Sequence, residues 1–201
     1  MLEDTICAPA TAPVNSSLSI IRISGPESYR AASVLFSNRE KIAHRFAAYG
    51  SIVSGDEVID DVILVYYKGP SSFTGEDMVE IFCHGNPIIV SRIMKLFFSL
   101  GVRSAQPGEF SKRAFLNGKM DLTEAEAINS LINARSDWEI KRSLEQMHGS
   151  LARAVDDIRN DVILLKADLE AGIDFIDQDI EFVSYDRGLE IAESVQIKLS
   201  D

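Results

Sequence analysis

All six prolines of the chain (9, 13, 26, 70, 87 and 107) fall before residue 108, and nine of its twelve glycines fall before residue 120. Proline removes a backbone donor and blocks a helix interior, while glycine costs about 1 kcal/mol there relative to alanine. A stretch nearly free of both can run as long helices, whereas one punctuated by both needs turns between short elements. Charge divides at the same place. Residues 1–120 hold 12 basic and 12 acidic side chains and residues 121–201 hold 8 and 19, so the second part carries the whole net charge of −11. The expectation is an N-terminal α/β (α+β) domain over 1–118, then an all-α segment of long helices over 119–201.

Within the first part, runs at 17–24, 58–67 and 78–83 are β-branched and aromatic-rich and read as strands. Helices are expected at 27–37 after Gly25-Pro26, at 87–100 from Pro87 to Gly101, and at 109–117 between Pro107-Gly108 and Gly118. In the 87–100 run, Ser91, Arg92, Lys95 and Ser99 form a narrow polar stripe, so that helix is expected to be largely buried. The second part opens on Thr123-Glu124-Ala125-Glu126, a capping-box pattern. Leu151, Val155, Ile158, Val162, Leu165 and Leu169 then recur as a heptad seam, which fits helix-bundle packing or a dimer seam. Gly149 and Gly172 mark expected ends or kinks. The acids of 172–183 fit a solvated rim better than a metal site, since their spacing matches no calcium loop.

Composition narrows the function. With 46% hydrophobic and 25% charged residues the chain is globular. Its acidity argues against a broad basic face for nucleic acid. The start lacks a signal peptide's apolar core, and the most apolar stretch, 86–100, is interrupted by Arg92 and Lys95 and too short to span a bilayer, so no membrane association is expected. Two cysteines, Cys7 and Cys83, suit a reduced, cytoplasmic setting. The residues contain no P-loop, no G-x-G-x-x-G and no nucleophile elbow. Cys83 and His84, adjacent on a strand, would point to opposite faces and could not share a metal. No partners are evident for His44 or His148. No catalytic residue and no metal site is expected in this chain, which reads as a binding module.

Three glycine-bounded polar segments stand apart: IIRISGP (20–26), SSFTGEDMVEIFCHG (71–85) and PGEFSKRAFLNGKMDLTEAEA (107–127). Arg22 and Glu80 each sit between apolar neighbours on a strand. One reading is a solvent-facing charge on a half-exposed sheet. The other is a carboxylate, Glu80, accepting two hydrogen bonds from a planar donor edge such as a pterin or guanine, with Arg22 and Lys119 meeting the ligand's anionic parts. Asp77 and Arg113 rank level with these three on residue chemistry alone.

These segments, with Asp4-Thr5-Ile6 and AGIDFIDQDIEF, resemble the MnmE (TrmE) family of tRNA-modification GTPases over essentially the whole chain. The resemblance implies an N-terminal domain similar to the tetrahydrofolate-binding domains of folate-dependent aminomethyltransferases, which homodimerises and holds formyl-tetrahydrofolate near the dimer interface. Carried over by motif, the folate contacts fall on Arg22, Glu80 and Lys119. A helical domain interrupted by a G domain is implied to follow. The chain stops at Asp201 before any G-domain motif, so it is expected to hold the folate domain and the first portion of the helical domain. By the same resemblance, the full protein is a hydrolase using GTP, magnesium and potassium. With the flavin-dependent MnmG protein it places an aminomethyl-type group on the wobble uridine of tRNA. Two departures stand out. Val14-Asn15-Ser16-Ser17 replaces a glycine-rich basic loop, which leaves fewer positive-φ options. Asn86 replaces a glycine and is expected to serve a left-handed backbone. A stand-alone folate-dependent aminomethyltransferase and a ligand-free structural dimerisation module are the alternatives.

Overall fold

The computed structural model describes residues 4–174 and 185–200. They form two compact units, Met1–Met120 and Asp121–Asp201.

The first unit is a six-stranded sheet in the order β3-β4-β5-β2-β1-β6. Its strands are β1 (Ile6–Pro9), β2 (Ser16–Ser24), β3 (Ala47–Ser54), β4 (Glu57–Tyr67), β5 (Met78–Gly85) and β6 (Arg103–Ser104). All neighbours pair antiparallel except β1 with β6. Two-residue alternation gives each strand an inner and an outer face. Ile21 and Ile23 of β2, Leu64 of β4, and Val79 and Ile81 of β5 are fully buried on the inner face. Helices α1 (Ser28–Leu35) and α2 (Pro87–Ser99) cover that face with Ala31, Ala32, Ile93 and Phe97. Burying each such aliphatic or aromatic side chain contributes about 1.5–3 kcal/mol, which makes this layer the core.

Both helices differ from their sequence reading. α1 stops at Leu35 rather than 37 because Phe36 is buried and bridges Ile52 of β3. α2 is not largely buried: Ile93, Met94 and Phe97 face the sheet, whereas Ile88 and Phe98 are exposed. Its N-cap is Asn86, whose Oδ1 accepts from the Ile88 amide, with φ −101° and ψ 122°. Asn86 therefore acts through its side chain in an extended backbone, and not as a left-handed substitute for glycine. Strands β1, β3 and β6 have no counterpart in the sequence reading. Helix α3 (Glu109–Leu116) completes the unit.

The second unit holds α4 (Leu122–Asn133), α5 (Asp137–Met147), α6 (Ser150–Asp174) and α7 (Tyr185–Ser200). The cap of α4 lies two residues earlier than Thr123. Asp121 accepts from the Glu124 amide at 2.7 Å while Glu124 Oε2 accepts from the Asp121 amide at 2.8 Å. α4 packs with α5 and α6 with α7, where Lys198 Nζ meets Asp161 Oδ2 at 2.7 Å. Gly149, at φ 68°, separates α5 from α6, and Gly172 falls in the last turn of α6. In the described part of the seam, Val155, Val162 and Leu169 are exposed. Most of the acidic segment 172–183 lies outside the described residues.

Candidate functional site

Arg22 and Glu80 are direct cross-strand partners of β2 and β5, on the face of the sheet opposite α1 and α2. The Arg22 guanidinium donates to Glu80 Oε1 from Nε at 2.9 Å and from a terminal nitrogen at 2.6 Å. Their side chains are 24% and 13% exposed, so the pair is screened from bulk water yet open on one side. The rings of Phe73 and Phe110 stand 4.9 Å and 5.7 Å from the guanidinium carbon, a cation–π cradle that fixes its plane. The Tyr67 hydroxyl reaches Glu80 Oε2 at 3.3 Å. Burial, with Glu80 beside it, raises the Tyr67 hydroxyl above its ordinary pKa, so it remains a donor.

Lys119 arrives from a different element. At the end of α3 the Gly118 amide bonds the Phe115 carbonyl at 3.0 Å and the Lys119 amide bonds the Ala114 carbonyl at 2.8 Å. Gly118, at φ 67°, permits this Schellman turn, which swings Lys119 out of the helix. Loop 71–76 packs on the same turn: Asn117 Nδ2 donates to the Thr74 carbonyl at 2.8 Å, and Gly75, at φ 79°, lies against the Lys119 stem. Arg22, Glu80 and Lys119 thereby line one open pocket of about 370 Å³, with Arg45, Tyr67 and Phe73 among the other walls. That volume sits at the low end of the roughly 300–1,000 Å³ typical of small-molecule sites. A carboxylate has about four lone-pair sites. Two donors occupy one Glu80 oxygen and a long tyrosine contact the other, which leaves acceptor capacity for a planar N–H edge. Among the described residues Lys119 makes no ion pair.

Asp77 and Arg113 fall outside the pocket. Asp77 accepts from Tyr66 and from the Gly69 amide, both at 2.9 Å. Arg113 is fully buried and bonds Asp4, Glu76 and Glu109. Glu76 in turn accepts from Ser24 at 2.8 Å, so this network holds the base of loop 71–76. His44 does have a partner: its Nδ1 accepts from the Lys68 amide at 2.9 Å. Cys83 is buried and His84 is exposed, as the alternation requires, and His84 Nδ1 lies 2.7 Å from Asp60. None of residues 14–17 adopts a positive φ. No group of three or more histidine, cysteine or acidic residues is placed to hold a metal among the described residues, and no described helix is long and apolar enough to cross a membrane.

The outer face continues past the pocket as an apolar groove of about 440 Å³, lined by Leu18, Tyr49, Ile63, Val65 and Phe82. Phe82 is two residues from Glu80 and Val65 two from Tyr67, so groove and pocket share one surface. A further cavity of about 540 Å³, beside Trp138 of α5, includes none of the three residues. Sequence reasoning missed Arg45, which lies in an irregular stretch, and Tyr67 and Phe73, which it had placed in a strand and a motif without a role.

These features define a sheet domain with a cation-and-carboxylate pocket on its open face, followed by a helical segment. The chain belongs to the MnmE (TrmE) family. Residues 5–119 match the family model described as the GTP-binding protein TrmE N-terminus, and residues 122–201 match the MnmE helical domain. Relatives named tRNA modification GTPase MnmE include those of Thermotoga maritima (46% identical, 87% of this chain and 39% of the relative), Clostridioides difficile (42%, 92% and 41%) and Porphyromonas gingivalis (39%, 98% and 43%). The chain thus spans about two fifths of the length of these relatives.

Proposed function

We propose that this chain is the folate-binding and dimerising part of a tRNA-modification GTPase. The observation that carries the reading is that Arg22 of β2, Glu80 of β5 and Lys119 beyond α3 line one pocket. Glu80 would accept the planar donor edge of the pterin, Arg22 would hold Glu80 oriented, and Phe73 would offer a ring to stack on. A bound formyl-tetrahydrofolate would supply the one-carbon unit. The apolar groove beside the pocket supports self-association: exposed Leu18, Tyr49 and Ile63 form a contiguous patch of the kind that a second copy covers. Domain limits of 1–118 and 119–201 belong to the same reading. In the full-length protein, GTP with magnesium and potassium, tRNA and the flavin-dependent MnmG protein are the proposed partners, and the setting is cytoplasmic.

One observation favours a second reading. Glu80 is already ion-paired to Arg22, as a purely structural dimerisation module would have it. Calorimetric titration of formyl-tetrahydrofolate into the chain and into Glu80→Ala separates the two. Under the folate reading the wild type binds and the variant loses at least tenfold, since a charge-assisted bond is worth about 1.5–3 kcal/mol. A folded wild type that takes up no ligand establishes the structural module instead.

A further inference from the structure

Arg45 is the one non-glycine residue in the left-handed backbone region among those described, at φ 57°. That conformation is uncommon for an arginine and persists where surrounding structure imposes it. Here two contacts do so. The Arg45 amide donates to the Tyr66 carbonyl at 2.7 Å, and the neighbouring His44 bridges Tyr66 and accepts from the Lys68 amide. The conformation brings Arg45 to the pocket wall near Tyr67, where among the described residues its guanidinium makes one contact, of 3.4 Å, to the Ser71 carbonyl.

The charge balance of the pocket supplies a second, independent observation. Three cations line it, Arg22, Arg45 and Lys119, against one carboxylate, Glu80. Glu80 neutralises Arg22. Arg45 and Lys119 make no ion pair among the described residues, so two positive charges converge on the cavity without internal compensation. Such a site favours a ligand bearing two negative charges away from its ring.

We propose that Arg45 is a further binding residue of this pocket, and that with Lys119 it takes the two carboxylates of a glutamyl tail, so that the site selects glutamylated over tail-less folates. The inference rests on the folate reading above and adds a specificity to it. A tetrahydrofolate carries its negative charge on the α- and γ-carboxylates of that tail and none on the ring. The planar arginine fork suits a carboxylate in two-point contact, and the lysine ammonium acts as a point charge.

The test compares formyl-tetrahydrofolate with formyl-6-methyltetrahydropterin, which keeps the pterin ring and carries no carboxylate, on wild type and Arg45→Gly. Glycine keeps the left-handed backbone, so the variant's melting temperature should be equal or higher. Arg45→Gly is expected to weaken formyl-tetrahydrofolate by about 10–100-fold. Formyl-6-methyltetrahydropterin should bind wild type and variant alike within about twofold, and added salt should narrow the wild-type preference between the two ligands. Equal weakening of both ligands, or of neither, overturns the assignment. If the wild type binds neither ligand, the folate reading itself fails and this inference with it.

Discussion

Arg113 is completely buried, and its terminal nitrogens reach Asp4 Oδ1 at 2.7 Å, Glu109 Oε1 at 3.1 Å and Glu76 Oε2 at 3.1 Å. It also bonds the Asp4 carbonyl at 2.9 Å. Three carboxylates depend on this guanidinium, with Arg103 bridging two of them from the surface. Replacing it with methionine fills the space but leaves the acids facing one another. Breaking a buried pair in this way costs about 3–5 kcal/mol. Arg113→Met should therefore lower the urea midpoint of the first unit sharply, and a shift equivalent to under about 1 kcal/mol would mean that the network relaxes into solvent. The site itself was only partly legible. Arg22 and Glu80 announced themselves as charges between apolar neighbours on strands, but on residue chemistry alone Arg113 ranked level with them, although it lies outside the pocket and bonds Asp4, Glu76 and Glu109. Arg45 gave no signal, because its role comes from a backbone conformation and a carbonyl on β4 that lie far apart in sequence.

At the scale of elements, the cap of α4 shows how a local pattern can be right in kind and wrong in place. Both Asp121-Leu122-Thr123-Glu124 and Thr123-Glu124-Ala125-Glu126 satisfy the capping spacing. The former wins because Asp121 adopts the extended cap backbone, while Thr123 instead donates to Asp121 Oδ1 at 2.7 Å. Asp121→Ala should cost about 1 kcal/mol of helix stability, and Thr123→Ala clearly less. Amide hydrogen exchange over residues 122–126 distinguishes them: the first variant should lose protection there, and equal loss in both would assign the cap to the pair rather than to Asp121. The elements of the first unit legible in sequence, β2, β4, β5, α1, α2 and α3, carry either β-branched runs or a breaker at one or both ends. β1 and β6 are too short to show a period. β3 contains Ala47, Ala48 and Gly50, poor strand formers whose placement is set by packing; the Gly50 backbone lies directly against the Phe36 ring.

For the molecule as a whole, the two units should respond to acid in opposite senses. In the first, hydrogen bonding from Arg103, then from the Gln106 amide and Arg113, holds Glu109 down to about 2. Its folded pKa lies below the ordinary carboxylate value, so its contribution is fully present above about pH 4.5 and is lost as pH falls through about 2. Asp4, held low first by Arg103, acts in the same direction. With the exposure of Arg103 discounted, Glu109 is worth about 2 kcal/mol at neutral pH. The second unit carries 19 acidic against 8 basic residues, and protonating carboxylates there relieves self-repulsion. The aromatic residues separate the two responses. Trp138 is the single tryptophan and lies in α5, whereas four of the five tyrosines (29, 49, 66 and 67) lie in the first unit. On titration from pH 5 to 2, tyrosine near-ultraviolet dichroism should fall while Trp138 fluorescence holds. Glu109→Gln should be less stable than wild type at pH 7, with the gap closing towards pH 2. A gap that stays constant across that window would place the effect in packing and hydrogen bonding, and would remove Glu109 ionisation as the source of the acid response.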